Sequence, residues 1–263
     1  MSEEKQMSFL DHLEELRWRL VRSSISVVLI AGVLFYFQEW IIETVFLSMR
    51  DPNFITFRLF CDYFNVCVEE IPVSFQSTTM AGQFTYAMMT SIMGGIVLSF
   101  PFIFYQLWAF VKPGLRQNEQ SVAKGIVFWV SLLFFLGILF GYYIVAPLTV
   151  QFFGAYQISG QIENIFTISS YMSTILSTVF YSGLLFLLPV ISYLFAKLGI
   201  ITPEFLRKYR KHAIVGVLII AAVITPPDVI SQIIVSIPIL ALYEVGILVV
   251  ARVDKNRKKQ ETQ

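Results

Sequence analysis

Residues 125–152 read GIVFWVSLLFFLGILFGYYIVAPLTVQF, a run without one Asp, Glu, Lys or Arg. A helix rises about 1.5 Å per residue and the hydrocarbon core of a bilayer is about 30 Å thick, so about 20 apolar residues cross it. The run exceeds that length and offers water no polar face, so it reads as a transmembrane helix. Three more long apolar runs occupy 20–42, 84–111 and 171–198, with charges only near their ends, at Arg22, Glu39 and Lys197. Two shorter ones follow at 213–225 and 230–250, the second with Glu244 inside it. Pro226-Pro227-Asp228 separates this pair. Consecutive prolines cannot continue a helix, so a tight turn is expected there. The expectation is an all-α, polytopic membrane protein of six transmembrane helices, with short fifth and sixth helices as a hairpin. The fifth is too short for an ordinary bilayer, a mismatch met by thinning of the membrane or by association with partners.

Composition agrees with this reading. Of 263 residues, 56% are hydrophobic and 14% charged, against about 25% charged in soluble domains. A net charge of +1 gives no reason to expect nucleic acid as a partner. The polar start over residues 1–5 reads as neither a cleavable signal nor a transit peptide, so the first apolar run is expected to be retained. Three segments are expected: a cytoplasmic amphipathic helix over 1–19, the six-helix domain over 20–251 and a basic cytoplasmic tail over 252–263.

Charge placement orients the chain. With six spans, all of the 19 lysines and arginines except Arg50 and Arg58 fall on one side, in the N-terminal segment, the second and fourth loops and the tail. The positive-inside rule then puts both termini in the cytoplasm. Cys61 and Cys67 both fall in the first outer loop. They are a possible disulfide if that loop faces an oxidising compartment, or two thiols packed as small hydrophobes. His12 and His212 lie on the opposite face, so no metal site is expected.

Two cytoplasmic stretches carry candidate binding residues. In the first, Phe9, Leu13, Leu16 and Leu20 recur every three or four residues and form an apolar stripe. Asp11, Glu14 and Glu15 face away from it, with Glu14–Arg17 and Glu15–Arg19 at ion-pair spacing. This fits a helix lying on the membrane surface, or an acidic patch that receives a cationic partner. The second stretch, 108–119, reads WAFVKPGLRQNE: aromatic residues, a Pro-Gly turn and Glu119 as its one carboxylate. It fits a binding loop or an interfacial turn. At membrane depth stand Gln232 and Glu244, with Asp228 at the outer turn, where an N-cap is needed. No phosphate-binding loop, nucleophile elbow or H-E-x-x-H motif occurs, so neither catalytic residues nor nucleotide hydrolysis are expected.

These motifs together resemble the TatC family. Residues 9–17, FLDHLEELR, resemble its H-L-x-E-L-R signature; Pro101 to Glu119 resemble its second span and first inner loop; 201–204, ITPE, and 225–232, TPPDVISQ, resemble its later motifs. The resemblance implies the core component of a twin-arginine protein translocase in the bacterial inner membrane, a cupped bundle of six helices without a cofactor. Such a component binds signal peptides carrying two consecutive arginines at its cytoplasmic face. With TatA- and TatB-type single-span partners, and by self-association, it exports folded proteins on the proton gradient.

By the same resemblance, Glu15 and Glu119 receive the arginines. Phe110, Pro113 and Leu115 shape the loop, His12 belongs to the first motif, and Arg17 orients or balances Glu15. Gln232 matches a polar position near the partner-docking region, with Thr225 and Asp228 beside it. Some members carry a buried glutamate two residues before the proline of the fourth span, where this chain has Leu187. A secondary transporter of a small solute is the competing reading. The chain offers it no internal repeat, and no charged residue in the middle of the first four spans.

Overall fold

The structure is a computed structural model that describes residues 9–65, 67, 74–111, 123–159, 161, 164–225 and 228–261. Helix α1 runs unbroken over Phe9–Tyr36. No glycine or proline interrupts it before Gly32, so the amphipathic residues from Phe9 on continue into the first apolar run as one helix. A short α2, Gln38–Ile41, leads into a π-helical turn, Ile42–Phe46. The loop after the first span folds α3, Ile55–Phe64, and strand β1, Ser74–Gln76. Then come α4, Gly82–Val111, and α5, Ala123–Phe140, which passes through a second π-helical turn at Gly141–Val145 into α6, Ala146–Ala155. Strand β2, Ile165–Thr167, precedes α7, Ile168–Leu185, and α8, Leu188–Lys197. The chain closes with α9, Pro203–Lys208; α10, Arg210–Ile224; and α11, Val229–Glu261.

Among the described residues, five stretches are long and apolar enough to cross a bilayer: His12–Tyr36, Gly82–Val111, Gly125–Ala155, Ile168–Lys197 and Ser231–Arg257. The sixth, α10, has 15 residues, about 22 Å of helix, and falls short of the bilayer core as expected. Its partner differs from expectation. Helix α11 is not short: its 33 residues run on through the segment read as a basic tail. Lys, Arg, Gln and Glu are good helix formers and nothing between Ala251 and Glu261 breaks the helix, so it continues after the apolar residues end.

Breaks and ends have local causes. Pro189 has no N–H to offer the preceding turn, and the fourth span is interrupted at Phe186–Leu187 before α8 begins. Gly199, at φ 72°, ends α8: its N–H reaches the Ala196 carbonyl at 3.0 Å and that of Ile200 reaches Phe195 at 3.0 Å. Thr167 and Thr202 cap α7 and α9 by accepting from the Ser170 and Phe205 N–H groups.

The helices fall into two compact units. In the first, residues 9–41 and 84–132, α1 and α4 run antiparallel and touch at both ends and in the middle. Phe35 meets Phe84 at 5.9 Å at one end. In the middle, a Cβ on Gly95 would lie 2.8 Å from the Val27 carbonyl oxygen, so only glycine allows this approach. Gln106 and Phe110 meet α1 at the other end. In the second unit, residues 42–83 and 133–261, a Cβ on Gly137 would lie 2.7 Å from the Ser182 carbonyl oxygen, so α5 and α7 cross backbone to backbone. Val145, Val217, Ala221, Val235 and Ile239 form its buried apolar cluster, joining the second π-turn to α10 and α11.

The end of this second unit that carries both π-helical turns is tied by polar bonds. A π-turn disrupts the regular ladder and leaves carbonyls in need of donors, which lipid cannot supply. Tyr142 donates to the Val45 carbonyl at 2.8 Å, Tyr171 to Phe46 at 2.6 Å and Thr56 to Tyr143, so each π-turn is satisfied by side chains. Strand β1 pairs in parallel with β2, Ser74 opposite Ile165, and so joins two loops.

Candidate functional site

Three α1 residues and two α4 residues share one contact face. His12, Glu15 and Arg19 are spaced i, i+3, i+7, and Gln106 and Phe110 are spaced i, i+4, so each set lies on one side of its helix. The His12 and Phe110 rings stack at 4.2 Å between centroids, inclined by 16°. Two turns further along α1, Arg19 directs Nε, at 3.0 Å, and Nη2 onto a single oxygen, Oε1, of Glu15. Its Nη1 lies 3.4 Å from Oε1 of Gln106, which is buried. The second oxygen of Glu15, Oε2, is buried without a hydrogen-bond partner among the described residues.

This arrangement is an anion half-used. Glu15 keeps about a quarter of its side-chain surface exposed. One oxygen is held by an intramolecular guanidinium, and the other is an acceptor in a partly desolvated place, where an unmet bond costs about 1–3 kcal/mol. A donor reaches it by displacing a neighbouring side chain, since the atom keeps almost no surface of its own.

Arg17 takes no part in this face. It is exposed, makes no ion pair with a described side chain and stands in an open apolar trough along α1 with Leu13, Leu20 and Val21. Spacing on α1 made the Glu15–Arg19 pair legible; the role of Gln106 was missed, because a contact between distant helices leaves no local pattern. Pro113, Leu115 and Glu119 lie outside the described residues.

Each of the candidate docking residues makes a hydrogen bond inside the α10–α11 hairpin. Gln232 donates its amide to the Leu218 carbonyl at 3.1 Å. Thr225 donates to Ala221 at 2.9 Å, and Asp228 accepts the Ser231 N–H at 2.9 Å as the cap of α11. Glu244 pairs with Arg210 at 2.6 Å, both about half-exposed, a position in which such pairs are worth little. Cys61 and Cys67 are joined in a disulfide. Among the described residues no three His, Cys, Asp or Glu side chains gather to hold a metal.

A family model described as "Sec-independent protein translocase protein (TatC)" matches residues 11–238. A Sec-independent protein translocase protein TatC from Blattabacterium sp. subsp. Periplaneta americana is 35% identical, aligned over 97% of this chain and 99% of the relative. One from Helicobacter pylori 26695 is 36% identical over 95% of this chain and 90% of its own. A crystal structure of the twin arginine translocase receptor TatC in DDM superposes with a TM-score of 0.68 at 32% identity, covering 90% of this chain and 98% of that one.

Proposed function

Because this chain belongs to the TatC family of Sec-independent protein translocase proteins, we propose that it is a signal-peptide receptor that takes one of two consecutive arginines on Glu15. It is a core component of the twin-arginine translocase and a multi-pass protein of the inner membrane. The observation that carries the receptor reading is the half-used carboxylate: Oε2 of Glu15 lies buried and unpartnered on the α1–α4 face.

A guanidinium is always charged and presents a planar fork of donors, which a carboxylate accepts. Two adjacent arginines call for two carboxylates, and Glu119 is the second in this reading. His12 and Phe110 hold the α1–α4 contact beside the first. Pro113 and Leu115 shape the loop that brings Glu119. Arginine is preferred over lysine, whose ammonium is a compact, strongly hydrated point charge.

The rest of the reading follows the family. Both termini face the cytoplasm, which the lysine and arginine bias supports. TatA- and TatB-type single-span subunits dock along the short α10, near Gln232, Thr225 and Asp228, and further copies of this chain join the complex. The proton gradient drives export, as the family resemblance implies, and the chain carries no phosphate-binding loop of its own. A small-solute transporter finds no support in the family assignment.

The test is binding of a fluorescent twin-arginine peptide to the purified full chain in detergent, against the same peptide with two lysines. Glu15→Ala and Glu119→Ala are each expected to weaken Arg-Arg binding by about 2 kcal/mol or more, roughly thirtyfold, while leaving the protein inserted. Unchanged affinity in both variants, with normal export, refutes the reading.

A further inference from the structure

Arg19 holds Glu15 in an unusual way for a guanidinium. Nε and Nη2 converge on the same carboxylate oxygen, so the fork does not span the two oxygens, and Oε2 stays without a partner. The remaining amino group reaches Gln106 on α4, whose side chain is only 5% exposed. The guanidinium therefore has two anchors on two helices and cannot swing onto Oε2 without losing one. Arg17, two residues earlier, shares none of this.

We propose that Arg19, fixed by Gln106, is the residue that makes the Glu15 site select arginine over lysine; this deepens the receptor reading and rests on it. An isolated carboxylate attracts any cation. The Glu15–Arg19 pair carries no net charge, so an approaching cation meets a dipole whose attraction is weaker and shorter in range. What remains for the ligand is one desolvated acceptor oxygen of fixed direction. An ammonium must shed tightly held water to reach it, with no net charge to offset that cost. A guanidinium is more weakly hydrated and its planar fork is already arranged, so it loses less on entering. Arg19 thus lowers the affinity for cations in general and leaves geometry to decide between them.

The test measures affinities of the twin-arginine peptide and its twin-lysine counterpart for the full-length protein and three variants. In Arg19→Gln the preference for Arg-Arg is expected to fall about tenfold or more, mainly because the Lys-Lys peptide binds better. Arg19→Lys keeps the neutralising charge and is expected to retain most of the preference. Gln106→Leu keeps the charge but frees Arg19 to cover Oε2, and is expected to weaken Arg-Arg binding several-fold. An unchanged preference in Arg19→Gln overturns the proposal, as does loss of both peptides from a variant that unfolds at the wild-type temperature. If Arg19→Gln does not fold, Gln106→Leu decides: wild-type Arg-Arg affinity overturns the proposal. Absence of any Arg-Arg preference in the wild-type protein is a different result, and removes the receptor reading itself.

Discussion

Successive helical residues are turned by about 100°, so residues two apart point to nearly opposite sides and cannot serve one carboxylate. Glu15 is met by Arg19, four residues on, while Arg17 faces out from α1. The family resemblance had assigned Arg17 to orient or balance Glu15; the geometry gives that contact to Arg19. Gln232 is a second residue whose surroundings change its meaning. A polar group one turn into a membrane helix reads as a handle for a partner, yet its amide donates to Leu218 on the neighbouring helix of the same chain. Gln232→Leu therefore removes one hydrogen bond between α10 and α11 and is expected to cost about 1 kcal/mol of stability. It is also expected to weaken crosslinking to single-span partner subunits, because the hairpin that presents their docking face loosens. Thermal unfolding in detergent reads the first effect and site-specific crosslinking the second; crosslinking at the wild-type level removes Gln232 from the docking surface.

Helix pairing carries the site. His12, Glu15 and Arg19 meet Gln106 and Phe110 only because α1 and α4 stay in register and close together, and Gly95 sets how close. Gly95→Leu places side-chain atoms against the Val27 carbonyl, and overpacking of this kind costs about 1–3 kcal/mol. The variant is expected to unfold at a lower temperature and to bind the twin-arginine peptide more weakly, although Gly95 lies three turns from Gln106. Full binding by a destabilised variant would mean that the α1 face forms without its partner helix. Helix α10 makes the opposite point. Its shortness was legible from the run between Ala213 and the prolines, and it is a property of sequence length alone.

Across the whole molecule, the bias of lysine and arginine toward one side of the membrane predicts where the ends lie. A reporter active only in the cytoplasm, fused after Gln263 or before Met1, is expected to be active in both places and silent when inserted beside Cys67. Activity at Cys67 would invert the topology and put Glu15 on the wrong side for a cytoplasmic ligand. Family membership and export function were legible before any coordinates, since the motifs at 9–17, 101–119, 201–204 and 225–232 carry them.

Sequence by itself determined the helical, membrane-spanning class and the short fifth span, because hydropathy is a local property, and the resemblance of residues 9–17 to the family's first motif singled out Glu15 as a candidate. Sequence length did not predict the full run of α11, because the hydropathy signal ends before the helix does. Only the tertiary structure decided that Arg19 is tied to Gln106, that Gly95 lets α1 and α4 touch and that Gln232 is spent within its own hairpin. Each of those joins residues far apart in the chain, on helices whose mutual rotation no local pattern records; that rotation is set by packing, where small residues allow backbones to approach and buried polar atoms must find partners.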